Sequence, residues 1–266
     1  MKYVYPKLPA KRCFPFFRIA GNGLANCLFV YAKAIVSAKK YNAKLIKPTW
    51  FNLTIGPYLR HQSDKRHYLG LFDCKDEIHG FSRLVKLLFG KRYTDKNEFE
   101  KVEAGILVEE GIYDFFEPLI GHSEYVRDYI VNHVCNGLLD SVNNYDFSNC
   151  VAVHVRLGDF PENRRIPISW YESQIKLRSR GKKIIIFSDG TDEELRQLLN
   201  LDNVVRVFFG GAIQDIIAMS RCEYIIGSDS SFSAWGAYLG QVPCCFYKLQ
   251  FGNVLVEKSM QIIENK

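Results

Sequence analysis

The sequence of 266 residues predicts an α/β protein made of two open units, at least one of them built on a parallel sheet. Three observations carry this. From Cys150 onward, continuous apolar runs of strand length alternate with segments of helical spacing, as in a parallel sheet covered on both faces. Near the N-terminus a strand, a glycine turn, a helix and a second strand follow one another. Finally, 47% hydrophobic and 24% charged residues is ordinary globular composition, enough for a sizeable core.

Taken in order, the first strand is "CFPFFRIA", Cys13 to Ala20, which ends in "GNG". Leu24, Leu28, Tyr31, Ala32, Ile35 and Val36 then recur at helical spacing up to Lys39 and Lys40. "AKLIKP" is the next strand, stopped by Pro48. Residues 50–120 are aromatic, basic and punctuated, and within them "HGFSRLVKLLFGKR" has the pattern of an amphipathic helix with a basic end. Glu124 to Asp140 predicts another helix. A domain boundary is placed near 145, giving domains 1–145 and 146–266.

The second domain reads as strand "CVAVHV", helix "SWYESQIKLRSRG" and strand "KKIIIFSD". Helix "TDEELRQLLN" follows, with Thr191 as cap and Glu194 at capping-box distance. Strand "VVRVFF", helix "IQDIIAMSRC", strand "EYIIGS", helix "SSFSAWGAYLG" and strand "VPCCFY" complete it. In open α/β sheets ligands sit beyond the carboxyl ends of the strands, and two such units suggest a cleft between them.

Charge and cysteine usage narrow the class. Thirty-five Lys and Arg against 29 Asp and Glu give a formal charge of +6, which favours anionic ligands or an acidic membrane surface. It falls short of the dense basic tracts of nucleic-acid binders, so no nucleic acid is expected. The eight cysteines form no C-x-x-C pair and mostly sit in apolar stretches, as reduced core thiols of a cytoplasmic protein do. No zinc-ligand spacing is present, and no apolar segment approaches the roughly 18 residues of a membrane span. The "NLT" triplet at Asn52 matters only in a secreted chain and is discounted.

Three stretches carry candidate chemistry. In "AGNGLAN", Gly21 and Gly23 follow a strand and open a helix, so backbone N–H groups there can approach a ligand. Asn26 replaces the third glycine of a dinucleotide fingerprint and no acid ends the next strand, which disfavours a dehydrogenase; a plain tight turn is the alternative. In "IIGSDSSFSAWG", Ser230 or Ser231 begins a helix, which makes either an anion site or an ordinary N-cap. In "VAVHVRLGDF", His154 and Arg156 leave the same strand face, and Asp159 lies just past Gly158. Arg156 can grip a diphosphate through parallel hydrogen bonds, or sit in a structural Arg–Asp pair.

The order of these stretches resembles that in bacterial α1,2-fucosyltransferases. "GNGLANCLFVYA" is similar to their N-terminal glycine segment, and "HVRLGDF" to the H-x-R-x-x-D motif shared with plant, α1,6- and protein O-fucosyltransferases. "IIIFSDG" and "DIIAMSRCEYIIGSDSSFSAWGAYLG" resemble the middle and third motifs. The resemblance implies two Rossmann-like domains facing across a cleft, the GT-B glycosyltransferase type. The N-terminal domain would be on the acceptor side and the C-terminal one would bind the nucleotide sugar.

It further implies inverting, metal-independent transfer of L-fucose from GDP-fucose to a glycan hydroxyl, with no cofactor. An α1,2 linkage in surface polysaccharide or oligosaccharide synthesis is expected. Position by position, Arg156 corresponds to the phosphate-binding arginine, and His154 and Asp189 lie near the nucleoside. Ser230, Ser231 and Phe232 lie near the phosphates and base, and Asn22 and Gly23 line the cleft. Asp159 is the nearest candidate base. Two positions depart from the family: Leu157 stands for a second arginine, and Cys27 for a glutamine. Another GDP-sugar, or a nucleotide- or carbohydrate-binding protein without turnover, is the alternative. The acceptor could be lipid-linked, and the basic run Lys86 to Arg92 could rest on a membrane; a solvated face is the plainer reading.

Overall fold

Strand β1 (Lys2–Pro6) sits inside a parallel sheet of order β4-β1-β7-β6, with β4 at Lys44–Leu45, β6 at Arg92–Tyr93 and β7 at Gly105–Glu109. The structure is a computed structural model and describes residues 1–59, 64–73, 75–158 and 160–247. The chain divides into two compact units, Met1–Asn136 and one beginning at Gly137.

In the first unit, a small sheet joins β2 (Ala10–Cys13), antiparallel to β3 (Arg18–Gly21), which runs parallel to β5 (Asn52–Leu53). Helix α1 (Leu24–Lys40) follows β3. Its residues from Leu28 to Ile35 are all buried, which accounts for a periodicity broader than a single apolar stripe. The sequence pattern places "CFPFFRIA" and "AKLIKP" in one βαβ unit, and the structure corrects this. β3 belongs to the small sheet, whereas β4 pairs with β1. The β2–β3 hairpin is inserted between β1 and α1. Short helices α2 (Gly56–Leu59), α3 (Gly80–Phe89) and α4 (Lys96–Glu100) and the longer α5 (Ser123–His133) complete the unit. Helix α5 stops at His133, short of the expected Asp140, where Val134 turns extended and bridges Phe72.

Arg18 is fully buried and anchors the small sheet without a carboxylate. Its guanidinium donates to the carbonyls of Thr49 (2.7 Å), Pro9 (2.9 Å) and Trp50 (3.2 Å). Asn52 is equally buried and accepts from Gly21 N (2.9 Å), so the acceptor residue of the glycosylation triplet is inside the fold.

The second unit opens with α6 (Asp140–Asn143) and carries a five-stranded parallel sheet of order β10-β9-β8-β11-β12. The strands are β8 (Cys150–Val155), β9 (Lys183–Ser188), β10 (Val204–Arg206), β11 (Tyr224–Gly227) and β12 (Cys244–Phe246). Helices α7 (Ile168–Arg178), α8 (Asp192–Leu199), α9 (Ala212–Met219) and α10 (Ser231–Gly240) connect them. All six residues of β8 are buried, as a strand covered on both faces requires. The capping box at α8 is formed: Thr191 accepts from Glu194 N, and Glu194 reaches back to Thr191 N.

This is a doubly wound order. The chain builds outward from β8 to β10, then returns to place β11 on the other side of β8. The reversal leaves a crevice beyond the carboxyl ends of β8 and β11, where such sheets bind ligands.

Among the described cysteines, Cys27, Cys150, Cys222, Cys244 and Cys245 are buried and none is in a disulfide. Burial pushes the Cys27 thiol up to about 11 and Cys244 up to about 12, so both stay protonated and unreactive.

Candidate functional site

Six of the sequence-derived site residues gather at the β8/β11 switch point. His154 is the penultimate residue of β8 and is buried. Its Nδ1 faces two hydroxyls, Ser228 Oγ at 2.8 Å and Ser233 Oγ at 3.1 Å. Ser228 N donates to the His154 carbonyl (2.9 Å), and Ser233 Oγ donates to the Ser228 carbonyl (3.1 Å). The imidazole also packs on Phe232, with ring centroids 5.1 Å apart at 32°. His154 therefore ties the end of β8 to the start of α10.

Burial first, and the adjacent Arg156 guanidinium second, hold His154 down at about 3 against an ordinary 6.5. It is a neutral ring at physiological pH. Because the folded state resists its protonation and the unfolded state does not, its contribution to stability is complete above about 6.5. It is lost progressively as pH falls from there toward about 3. His154→Asn is expected to flatten the melting temperature between pH 6.5 and 4 relative to the parent protein, as read by circular dichroism. An unchanged slope would show that other groups set the acid limb.

Arg156 leaves the strand end toward solvent. Its Nη1 lies 3.0 Å from Asp189 Oδ2, and both side chains are about a quarter exposed. Asp189 closes the loop around them: its Oδ1 accepts from Leu157 N (2.8 Å) and Gly158 N (3.0 Å). One carboxylate at the end of β9 thus fixes both the arginine and the backbone after it. Gly158 is required by this contact, since a Cβ there would lie 2.7 Å from Asp189 Oδ2. Leu157 points the other way, into the core cluster with Val155 and Ile186, and is 4% exposed. The position where the resemblance leads one to expect a second arginine is therefore a packing position.

At the facing strand, Ser230 is the N-cap of α10 and its side chain accepts from Phe232 N at 3.3 Å. Ser231 opens the helix. The helix dipole and first-turn amides of α10 thus stand at the same sheet edge as Arg156, a combination suited to an anion. Ser228 and Ser233 were not singled out from the sequence. Their signal was the serine density of "GSDSSFS", in which alternate serines cap and brace rather than all facing outward.

Asn22 and Gly23 lie in the first unit. Gly23 is the N-cap of α1, and Tyr68 Oη accepts from Leu24 N at 2.8 Å, taking up one of the helix-start donors. Asn22 holds its N–H to the Pro9 carbonyl (3.2 Å). Asp159 lies outside the described residues.

Residues 108–243, just over half of the chain, match glycosyl transferase family 11. The chain belongs to that family. The matched region takes in His154, Arg156, Asp189 and the start of α10, and excludes Asn22 and Gly23. No curated protein matches this glycosyl transferase significantly. Among solved structures, it is similar to the α1,6-fucosyltransferase NodZ soaked with GDP-fucose. The TM-score is 0.58 at 16% identity, over 93% of this chain and 95% of that one. The same enzyme co-crystallised with GDP gives 0.56 at 16%, over 91% and 92%. The selenomethionine form from Bradyrhizobium gives 0.55 at 16%, over 93% and 94%. At this identity the likeness is one of fold, and it bears out the expected α/β architecture with parallel sheets.

Proposed function

We propose that the protein is an inverting fucosyltransferase that moves L-fucose from GDP-fucose to a hydroxyl of a glycan acceptor. The observation that carries the reading is the partly exposed Arg156, held by Asp189 beside the N-terminus of α10 at the switch point of the sheet. Family membership limits the chemistry to glycosyl transfer. The choice of donor is supported by the NodZ structures, which were co-crystallised with GDP and soaked with GDP-fucose.

In this reading the acceptor oxygen attacks the anomeric carbon from the face opposite the diphosphate. The bond from that carbon to the diphosphate oxygen breaks, and its electron pair leaves with GDP. The hydroxyl proton passes to a carboxylate, for which Asp159, three residues past Arg156, is the candidate. Arg156 and the α10 amides stabilise the departing charge, so the reaction needs no divalent ion and no cofactor. His154, neutral and braced by Ser228 and Ser233, presents Phe232 toward the nucleotide. The α1,2 linkage, a role in surface polysaccharide or oligosaccharide synthesis and a cytoplasmic site of action belong to the same proposal. They rest on the motif resemblance.

A donor screen tests it. The protein is mixed with each GDP- and UDP-sugar, with and without chelator, and thermal stabilisation and slow donor hydrolysis are measured. GDP-fucose is expected to stabilise and to be hydrolysed equally in both conditions. Preference for another GDP-sugar would change the donor. Binding of GDP without turnover on any acceptor would make this a binding protein, and strict dependence on added metal would overturn the mechanism.

A further inference from the structure

Helix α3 carries apolar side chains on the wrong face for a surface helix. Its inner face is fixed. Arg83 is buried and donates to Pro15 O (2.5 Å), Lys47 O (2.6 Å) and Thr49 Oγ1 (2.7 Å), and Leu87 packs with Tyr5, Ile46, Ile106 and Val108. The helix therefore cannot roll. Its outer face is then Phe81 (80% exposed), Val85 (38%), Leu88 (61%) and Phe89 (82%), at i, i+4, i+7 and i+8. Single exposed apolar residues are common, but a full stripe with two phenylalanines is not.

Along α3 and the turn that follows it, the charges are of one sign. From His79 to Thr94 the sequence has Arg83, Lys86, Lys91 and Arg92 and no acid. The nearest acid on each side in sequence is engaged elsewhere: Glu77 is buried and accepts from Tyr31 (2.6 Å), and Asp95 caps α4. Lys86 sits over the Tyr3 ring, with its Nζ 4.2 Å from the centroid, and Arg92 donates to the Leu87 carbonyl. A shallow groove of about 370 Å³ beside the stripe is lined by Tyr3, Lys86, Phe89 and Lys91.

We infer that α3 docks the protein on an anionic lipid bilayer, with Phe81, Leu88 and Phe89 entering the headgroup boundary and Lys86, Lys91 and Arg92 meeting lipid phosphates. Apolar rings set between cations match that interface, which is apolar below and negative at its surface. A second copy of the chain fits less well, because a two-fold contact through this face would bring the same cations together. Among the described residues no helix is long and apolar enough to cross a membrane, so the contact is peripheral. It is independent of which sugar is transferred.

The test is co-sedimentation of the full chain with vesicles of phosphatidylcholine alone, or with about 30 mole per cent phosphatidylglycerol. Binding is expected on the anionic vesicles, and Phe81→Ser/Phe89→Ser should lower it about tenfold or more, because two rings lose their burial. Both side chains face outward, so the melting temperature of the double variant should match the parent and rule out misfolding. Failure of the parent to bind anionic vesicles would overturn the inference, and so would equal binding by the double variant. A parent dimer that the same substitutions convert to monomer would assign the face to a second copy instead.

Discussion

Arg156→Ala should fold as the parent does and lose about 10²–10³ in kcat for fucose transfer, the usual effect of removing one donor aimed at developing negative charge. Normal folding is expected because the arginine sits at a strand end, partly in water. Asp189 keeps its two backbone donors, Leu157 N and Gly158 N, when the guanidinium is gone. The buried cluster of Val151, Val153, Val155 and Leu157 is untouched. Arg156→Lys should recover little, since an ammonium cannot present two parallel N–H groups to a diphosphate. Steady-state rates with GDP-fucose, beside a thermal melt, decide the matter. Near-parental turnover of Arg156→Ala would remove it from the site, whereas lost turnover with a lowered melting temperature would indicate a structural ion pair.

The second large effect is expected at a residue with no chemistry. Gly240→Ala should destabilise the protein by about 2–3 kcal/mol, because a Cβ there would lie 2.1 Å from the Ser220 carbonyl oxygen and 2.6 Å from Val242 Cγ2. Backbone cannot yield as a flexible side chain can. Gly236, one turn earlier, faces Met219 Cβ at 2.8 Å by the same measure. The pair lets α10 lie against α9 at close range, which sets where its N-terminus stands at the sheet edge. A fall in melting temperature of about 5–10 °C is expected, with weakened GDP protection. An unchanged melting curve would mean that α10 can shift at little cost. Its position would then not depend on this contact.

The second unit was largely legible in the sequence, and the first was not, for a physical reason. Strands β8, β9, β11 and β12 are buried on both faces and so read as continuous apolar runs flanked by turn residues. Strands β10 and β12 were overread: Val207 to Phe209 leave the ladder after Arg206, and of "VPCCFY" only Cys244 to Phe246 is strand. In the first unit several strands are two residues long, and their pairing is decided by distant partners rather than by local pattern. "KYVYP" gives no periodicity worth the name, yet it is an interior strand. At the site, strand parity found His154 and Arg156 together. It could not show that Asp189 grips the loop after Arg156, because that depends on β9 lying next to β8. Nor could it show that Leu157 turns inward, which a reading by analogy would place beside the ligand.

The interior place of β1 has a consequence for how the polypeptide comes to be folded. Lys2 to Pro6 pairs on one side with Lys44 and Leu45 and on the other with Gly105 to Glu109, so this strand must wait for some hundred further residues before its sheet closes. During synthesis β1 can meet α1 and β4 early, but its other edge stays unpaired until β7 leaves the ribosome. Nascent chains halted before residue 105 should be sensitive to protease throughout, and those halted well past residue 109 should become resistant over the first unit. Trimming the first six residues would remove a middle strand, not a tail.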